Sequence, residues 1–161
     1  MSKITILAMD VDGTLTDGKI YVGAQGEVMK AFNVKDGYGI AQLLPKMFIT
    51  PVIITGRKSE IVSRRADELK IKHVYQGVSD KLTKLSEIAT EFGVSLENVA
   101  YIGDDLNDID CIEHCGLTAA PTNSTNEVLR MVDYICPSCG GDGAVREFIE
   151  YISEINERYN Q

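Results

Sequence analysis

The carboxylates of this chain gather in two short stretches, each directly after an apolar run. Asp10-Val11-Asp12-Gly13-Thr14 follows the run at 4–9, and Gly103-Asp104-Asp105-Leu106-Asn107-Asp108 follows the run at 99–102. Residues two apart on an extended segment point the same way, so the carboxylates of Asp10 and Asp12 converge. Two like charges that close do not both ionise cheaply: either a cation sits between them or one stays protonated. Both states suit phosphoryl transfer, where positioning and charge neutralisation carry most of the catalysis. Five acidic residues at two such places point to a hard cation with oxygen ligands. Mg²⁺ takes few protein carboxylates and leaves coordination positions for a phosphate oxygen. Plainer roles exist for the parts: Asp12-Gly13 as a turn, and an Asp of the second stretch as a helix N-cap.

Two further places could meet an anion. Thr55-Gly56-Arg57 offers a hydroxyl, an unobstructed backbone and a guanidinium at a helix start, a plausible anion cradle that is also a plain N-cap. Lys81 opens a helical stretch, where the helix dipole disfavours a cation, so it reads either as a residue with another task or as a snorkelling surface lysine.

The elements that position these residues alternate. Strands are expected at 4–9, 52–54, 73–75, 99–102, 117–119 and 134–135, and helices near 39–44, 59–69, 81–92, 108–114, 125–131 and 145–159. The pattern predicts an α/β domain: a Rossmann-like, mainly parallel sheet with helices on both faces. Residues 19–22 and 27–32 flank Gly23-Ala24-Gln25-Gly26, a small β-hairpin inserted after the first strand. Each chemical stretch follows a strand, and open α/β sheets bind ligands at the carboxyl ends of their strands. The length, 161 residues, fits a single domain over 1–161.

Sixteen basic against twenty-four acidic residues give a net charge of −8, with no basic stripe, which excludes a nucleic-acid surface. A phosphate-handling site on such a surface needs its own local cations. No signal-peptide run and no membrane-length apolar stretch occurs, so a cytoplasmic location is the default expectation. Cys111, Cys115 and the Cys136-Pro137-Ser138-Cys139 pair have the count of a zinc site, but the first pair falls on an expected helix.

The order Asp-x-Asp, Thr, Lys, Gly-Asp-Asp-x-x-Asp, each after a strand, resembles the haloacid dehalogenase superfamily of phosphatases over almost the whole chain. The resemblance implies Asp10 as nucleophile and Asp12 as general acid, then base. It implies Mg²⁺ held by Asp10, Asp104 and the backbone carbonyl of Asp12, with Thr55 and Lys81 on the phosphoryl oxygens. Asp108 is expected to hold Lys81, with Asp105 and Asn107 supporting the loop.

Larger members of that superfamily insert a cap domain; here the intervals from Asp12 to Thr55 and from Thr55 to Lys81 have no room for one. The chain also resembles a capless branch, the phosphatases of 3-deoxy-D-manno-octulosonate 8-phosphate (Kdo 8-phosphate), which act in lipopolysaccharide precursor synthesis. The matching stretches are 10–18, 54–61 with Arg64-Arg65-Ala66, 75–77 with 80–82, 100–108 and 140–147. That likeness implies a homotetramer in which neighbouring subunits cover the active site, with the Gly-rich segment 140–147 as a tail reaching a neighbour. On residue types alone the same segment is a loop before the last helix. Relatives that act on nine-carbon sugar acids, such as KDN 9-phosphate or N-acylneuraminate 9-phosphate, carry Glu and Lys at the positions of Arg57 and Glu68, so the likeness implies the eight-carbon sugar acid. Gly56, Arg57, Arg65 and Arg146 are the expected substrate contacts, the arginines offering bidentate forks to a carboxylate. A non-catalytic phospho-acceptor or regulatory domain is the alternative of another class. A receiver domain would place Lys after the last acidic cluster, whereas Lys81 precedes it.

Overall fold

The computed structural model describes residues 2–159. Its centre is a six-stranded, all-parallel sheet of β1 (Ile6–Met9), β4 (Thr50–Ile54), β5 (His73–Tyr75), β6 (Val99–Ile102), β7 (Leu117–Pro121) and β8 (Tyr134–Cys136), in the order β5-β4-β1-β6-β7-β8. Every residue of β1 and β6 is buried, as expected for central parallel strands covered on both faces. Alternation along β1 splits its side chains. Leu7 and Met9 join one core with Ile40 and Leu44, Val62 and Ala66, and Phe148, Ile149 and Ile152. Ile6 and Ala8 join the other, with Leu85, Ile88, Ile112 and Val128.

The covering helices follow from that division. On the first face lie α1 (Val34–Tyr38), which runs on through a π-helical turn at Gly39–Leu43 into α2 (Leu44–Lys46), then α3 (Glu60–Glu68) and α7 (Ala144–Arg158). On the second lie α4 (Lys81–Glu91), α5 (Ile109–His114) and α6 (Asn126–Met131). A two-stranded hairpin, β2 (Tyr21–Gly23) and β3 (Gly26–Met29), stands apart from the main sheet, and no cap domain follows it. The expected elements are all present; the strands expected at 73–75 and 99–102 keep their ends, and the others shift. The helix expected near 39–44 begins earlier at Val34, and the one expected over 108–114 opens with a 3₁₀ turn at Leu106–Asp108. No helix among the described residues is long and apolar enough to cross a membrane.

Strand order decides where the chemistry sits. From β1 the chain builds outward through β4 and β5 on one side, then returns to β6, β7 and β8 on the other. The crevice beyond the carboxyl ends of β1 and β6 is therefore the topological switch point, where open α/β sheets bind ligands. Asp10 and Asp104 leave β1 and β6 at that point.

Candidate active site

Lys81 is the hub of the crevice. Its side chain is 2% exposed and its Nζ donates to Asp10 Oδ1 at 2.8 Å and to Asp108 Oδ1 at 2.7 Å. The Lys81 position at the start of α4 is held by Asp80, whose carboxylate caps the helix by accepting from the Thr83 amide at 2.9 Å. Burial works to lower the ammonium pKa, and the carboxylates of Asp10 and Asp108 more than offset it, so Lys81 stays charged. Lys81 thus serves the site, and the surface-lysine alternative fails on burial.

Asp10 is 6% exposed. Burial, reinforced by the charge of Asp108, pushes its carboxyl up to about 6 despite Lys81. Asp104 is pushed further, to about 8, by burial and then by the charges of Asp10 and Asp108. Thr14 Oγ1 donates to Asp104 Oδ1 at 3.1 Å. Gly13 makes this approach possible: with φ +91° it is left-handed, and a Cβ there would lie 2.1 Å from Asp104 Oδ2. The loop is pinned by the amides of Thr14, Leu15 and Thr16, which all donate to the Val11 carbonyl.

Carboxylate oxygens of Asp10, Asp104 and Asp108 all lie within 4.8 Å of one another, the one group of potential metal ligands among the described residues that could close on an ion. The carboxyls of Asp10 and Asp104, held above their ordinary range by burial and then by neighbouring charge, are donors that a divalent cation relieves, so the residues fit Mg²⁺. Asp108 stands apart within the group. It is fully buried, and both of its oxygens are already occupied. Oδ1 accepts from Lys81 and from the Tyr101 hydroxyl at 2.5 Å, and Oδ2 accepts from the amides of Asp104 at 2.9 Å and Asp105 at 3.2 Å. Its chemistry is to hold Lys81 and to shape the loop that presents Asp104. Gly103 allows this too, since a Cβ there would lie 2.3 Å from the Asp108 carboxyl carbon.

Asp12, Thr55, Gly56 and Arg57 complete the rim. The Asp12 carboxylate is paired with Lys30 of the hairpin, and Arg57 Nε lies 3.9 Å from its other oxygen. Thr55 is 2% exposed at the end of β4, its backbone fixed by Tyr75 and Val78. Gly56 is exposed, and a Cβ there would make only ordinary contact, 3.7 Å from the Val78 carbonyl, so space does not require glycine. Asp105 caps the 3₁₀ turn by accepting from the Leu106 amide at 2.7 Å, while Asn107 is exposed on that turn.

One expectation changes. The segment 140–147 is not a tail reaching outward. Gly141 donates to the Thr14 carbonyl at 3.1 Å, a Cβ on Gly140 would lie 1.9 Å from the Gly13 carbonyl oxygen, and α7 behind them is a core helix. These glycines allow close backbone contact with the chain's own Asp10–Asp12 loop. The arginines have these neighbours. Arg65 pairs with Glu68 at 2.8 Å and lies over the Phe32 ring; Arg146 pairs with Glu150 at 2.6 Å and lies over Tyr38. Only Arg57, with its side chain 52% exposed, projects beside Asp12. Lys30 and Tyr101 belong to the site yet escaped the sequence reading. Tyr101 carried a usable signal, a hydroxyl in a fully buried strand that must find a partner; Lys30 carried none.

The cysteines take no part. All four are free, and burial pushes the thiols of Cys111 and Cys136 up to about 12.

A family model for haloacid dehalogenase-like hydrolases matches residues 58–149. The 3-deoxy-D-manno-octulosonate 8-phosphate phosphatase of Escherichia coli K12 is 45% identical over 150 residues, 93% of this chain and 79% of that protein. The chain belongs to the haloacid dehalogenase-like hydrolase family. Among solved structures of this family, the corresponding Yersinia pestis phosphatase superposes with a TM-score of 0.92 at 42% identity, covering 98% of this chain and 85% of that one. The Moraxella catarrhalis phosphatase, in complex with magnesium ion, phosphate ion and KDO, gives 0.92 and 42% over 98% of this chain and 90% of that one.

Proposed function

We propose that this chain is a Mg²⁺-dependent phosphomonoesterase that hydrolyses Kdo 8-phosphate to Kdo and phosphate through an aspartyl-phosphate on Asp10, acting as one catalytic domain over its 161 residues. The observation that carries the reading is the buried Lys81 ammonium set between Asp10 and Asp108 beside Asp104, in a chain 45% identical to a Kdo 8-phosphate phosphatase.

Asp10 and Asp104 would hold Mg²⁺ with the Asp12 carbonyl. Bound there, the ion would neutralise charge on the phosphoryl oxygens, easing the approach of an anionic nucleophile to an anionic ester. Lys81 and Thr55 bind those oxygens from the protein side. Asp10 attacks phosphorus, forming the Asp10 O–P bond while the ester O–P bond breaks. Asp12 protonates the departing alkoxide, then takes a proton from the water that attacks phosphorus, and Asp10 is regenerated with release of phosphate. Asp12 is suited to both tasks because it sits on the rim with its side chain 19% exposed.

The sugar carboxylate needs a cation remote from Lys81. We assign Arg57 to it first, because its side chain is 52% exposed beside Asp12, with Arg65 and Arg146, in pairs with the exposed Glu68 and Glu150, as the further candidates. We also infer a homotetramer located in the cytoplasm. Val22 and Val28, 73% and 61% exposed on the hairpin, support a subunit contact there. The deciding experiment compares kcat/KM for Kdo 8-phosphate, KDN 9-phosphate and a neutral sugar phosphate, with Asp10→Asn as control. The eight-carbon acid should lead and Asp10→Asn should abolish turnover. Equal use of the three substrates would make the chain a general phosphatase, and a mostly active Asp10→Asn would overturn the mechanism. Sedimentation at assay concentration tests the tetramer, which a fully active monomer would exclude.

A further inference from the structure

The hairpin supplies the catalytic crevice with a buried cation that the phosphatase chemistry above leaves unassigned. Lys30, just beyond β3, has a side chain 1% exposed and donates to Asp12 Oδ1; it also pairs with Glu27 at 2.7 Å. Glu27 is fixed in turn: Ser59 Oγ donates to its Oε2 at 2.5 Å, and the Ser59 amide donates to Gln76 Oε1 at 2.7 Å. A chain of polar contacts therefore runs from the loop after β1, through the hairpin, to the start of α3 and, by the Ser59 amide, to the residue after β5. The Lys30 ammonium and the Ser59 hydroxyl hold the Glu27 carboxyl below the usual range, as for a fixed anionic brace. An exposed lysine pair would be worth little, because solvent screens it and side-chain entropy opposes it. Lys30 is shielded from solvent and bridges two carboxylates, so its ammonium fixes where the Asp12 oxygens point.

We propose that Lys30 is a positioning residue, which, braced by Glu27, holds the Asp12 carboxylate in the orientation from which Asp12 serves the leaving group and then the attacking water. The inference rests on the phosphatase reading above. It makes the hairpin part of the catalytic apparatus of its own protomer. Proton traffic is unchanged: Asp12 gives one proton to the leaving oxygen and recovers one from water, and Lys30 keeps its protons throughout.

The two halves of the reaction separate by leaving group. A p-nitrophenolate departs without a proton, whereas an alkoxide needs one. Rapid-quench kinetics on wild type, Lys30→Met and Glu27→Gln would use p-nitrophenyl phosphate and the best alkyl phosphate of the wild type. For Lys30→Met, single-turnover cleavage of the alkyl ester should fall about 10²-fold. The nitrophenolate burst should keep its rate to within about threefold, followed by slowed turnover as aspartyl-phosphate hydrolysis becomes limiting. Glu27→Gln should show the same pattern at about tenfold, and it carries the test if Lys30→Met fails to fold by circular dichroism. Parallel losses on both substrates would reduce Lys30 to a structural residue, and unchanged alkyl cleavage would remove it from the site; either result overturns the proposal. A wild type that forms no aspartyl-phosphate, or that keeps activity as Asp10→Asn, would instead overturn the phosphatase reading.

Discussion

Asp108→Asn should destabilise the metal-free protein at pH 7, although it removes one charge from a crowded acidic cluster. Every group that meets Asp108 arrives as a donor: Lys81 at 2.7 Å, the Tyr101 hydroxyl at 2.5 Å, and the amides of Asp104 and Asp105 at 2.9 and 3.2 Å. Asparagine brings one acceptor oxygen and an NH₂ group. Turned one way, the NH₂ faces two backbone amides; turned the other, it faces the Lys81 ammonium. Each buried donor left without an acceptor costs about 1–3 kcal/mol. The charge balance points the same way. At an effective dielectric constant of about 20, the lost Lys81 attraction at 2.7 Å is about 6 kcal/mol, and relieved repulsion from Asp10, within 4.8 Å, is at least about 3.5 kcal/mol. Asp104, whose carboxyl is pushed up by burial and then by the neighbouring carboxylates, holds its proton more tightly than Asp10 and adds less repulsion. The net expectation is a loss of about 3–5 kcal/mol, the usual consequence of removing one partner of a buried pair. Urea denaturation in EDTA, at constant m, measures it. If Asp108 were chiefly a metal ligand, removing its charge would relieve the metal-free site, and a variant as stable as wild type or more stable would refute the assignment.

Asp36 should behave in the opposite sense. It accepts from the Arg146 amide at 2.9 Å, but its Oδ2 has no hydrogen-bond partner, and the residue lines a cavity of about 10 Å³, room for one water. Burial, the largest influence, raises its carboxyl from 3.8 to about 6. The folded state then binds the proton more tightly than the unfolded chain. This contribution is fully present below 3.8 and is lost as pH rises through about 6. Asp36→Asn should therefore raise stability at pH 7 by up to about 3 kcal/mol and change it little near pH 4, as urea titrations at the two values would read. Gly140→Ala should lower stability by about 3 kcal/mol or more and impair turnover, because its Cβ would overlap the Gly13 carbonyl; an unperturbed melting curve would refute the packing. Chelation should stop turnover reversibly, and Mg²⁺ at about 100 times its dissociation constant should add about 2.7 kcal/mol to stability, seen as a raised Tm that Asp104→Ala abolishes.

The legible parts of this protein were those written in local pattern. Alternating apolar runs and amphipathic stretches specify strands and helices through their periods, and parallel strands joined by helices leave few ways to assemble. The carboxylates of Asp10 and Asp104 were readable because each follows such a strand, and like charges at such places demand a counterion. Contacts between distant residues were not readable. Lys81 and Asp10 are 71 positions apart, and Thr14 and Asp104 are 90 apart; each pair meets because β4 and β6 flank β1. That Arg65 lies over Phe32 and Arg146 over Tyr38, and whether Gly140 and Gly141 reach outward or inward, depends on neighbours that only the folded chain supplies. Lys30 is the sharpest case. A lysine on a polar hairpin looks like any solvated cation, and its role arises because the hairpin folds back to bury its ammonium between Asp12 and Glu27. Periodicity is a property of neighbours in sequence, whereas desolvation and ion pairing are properties of neighbours in space.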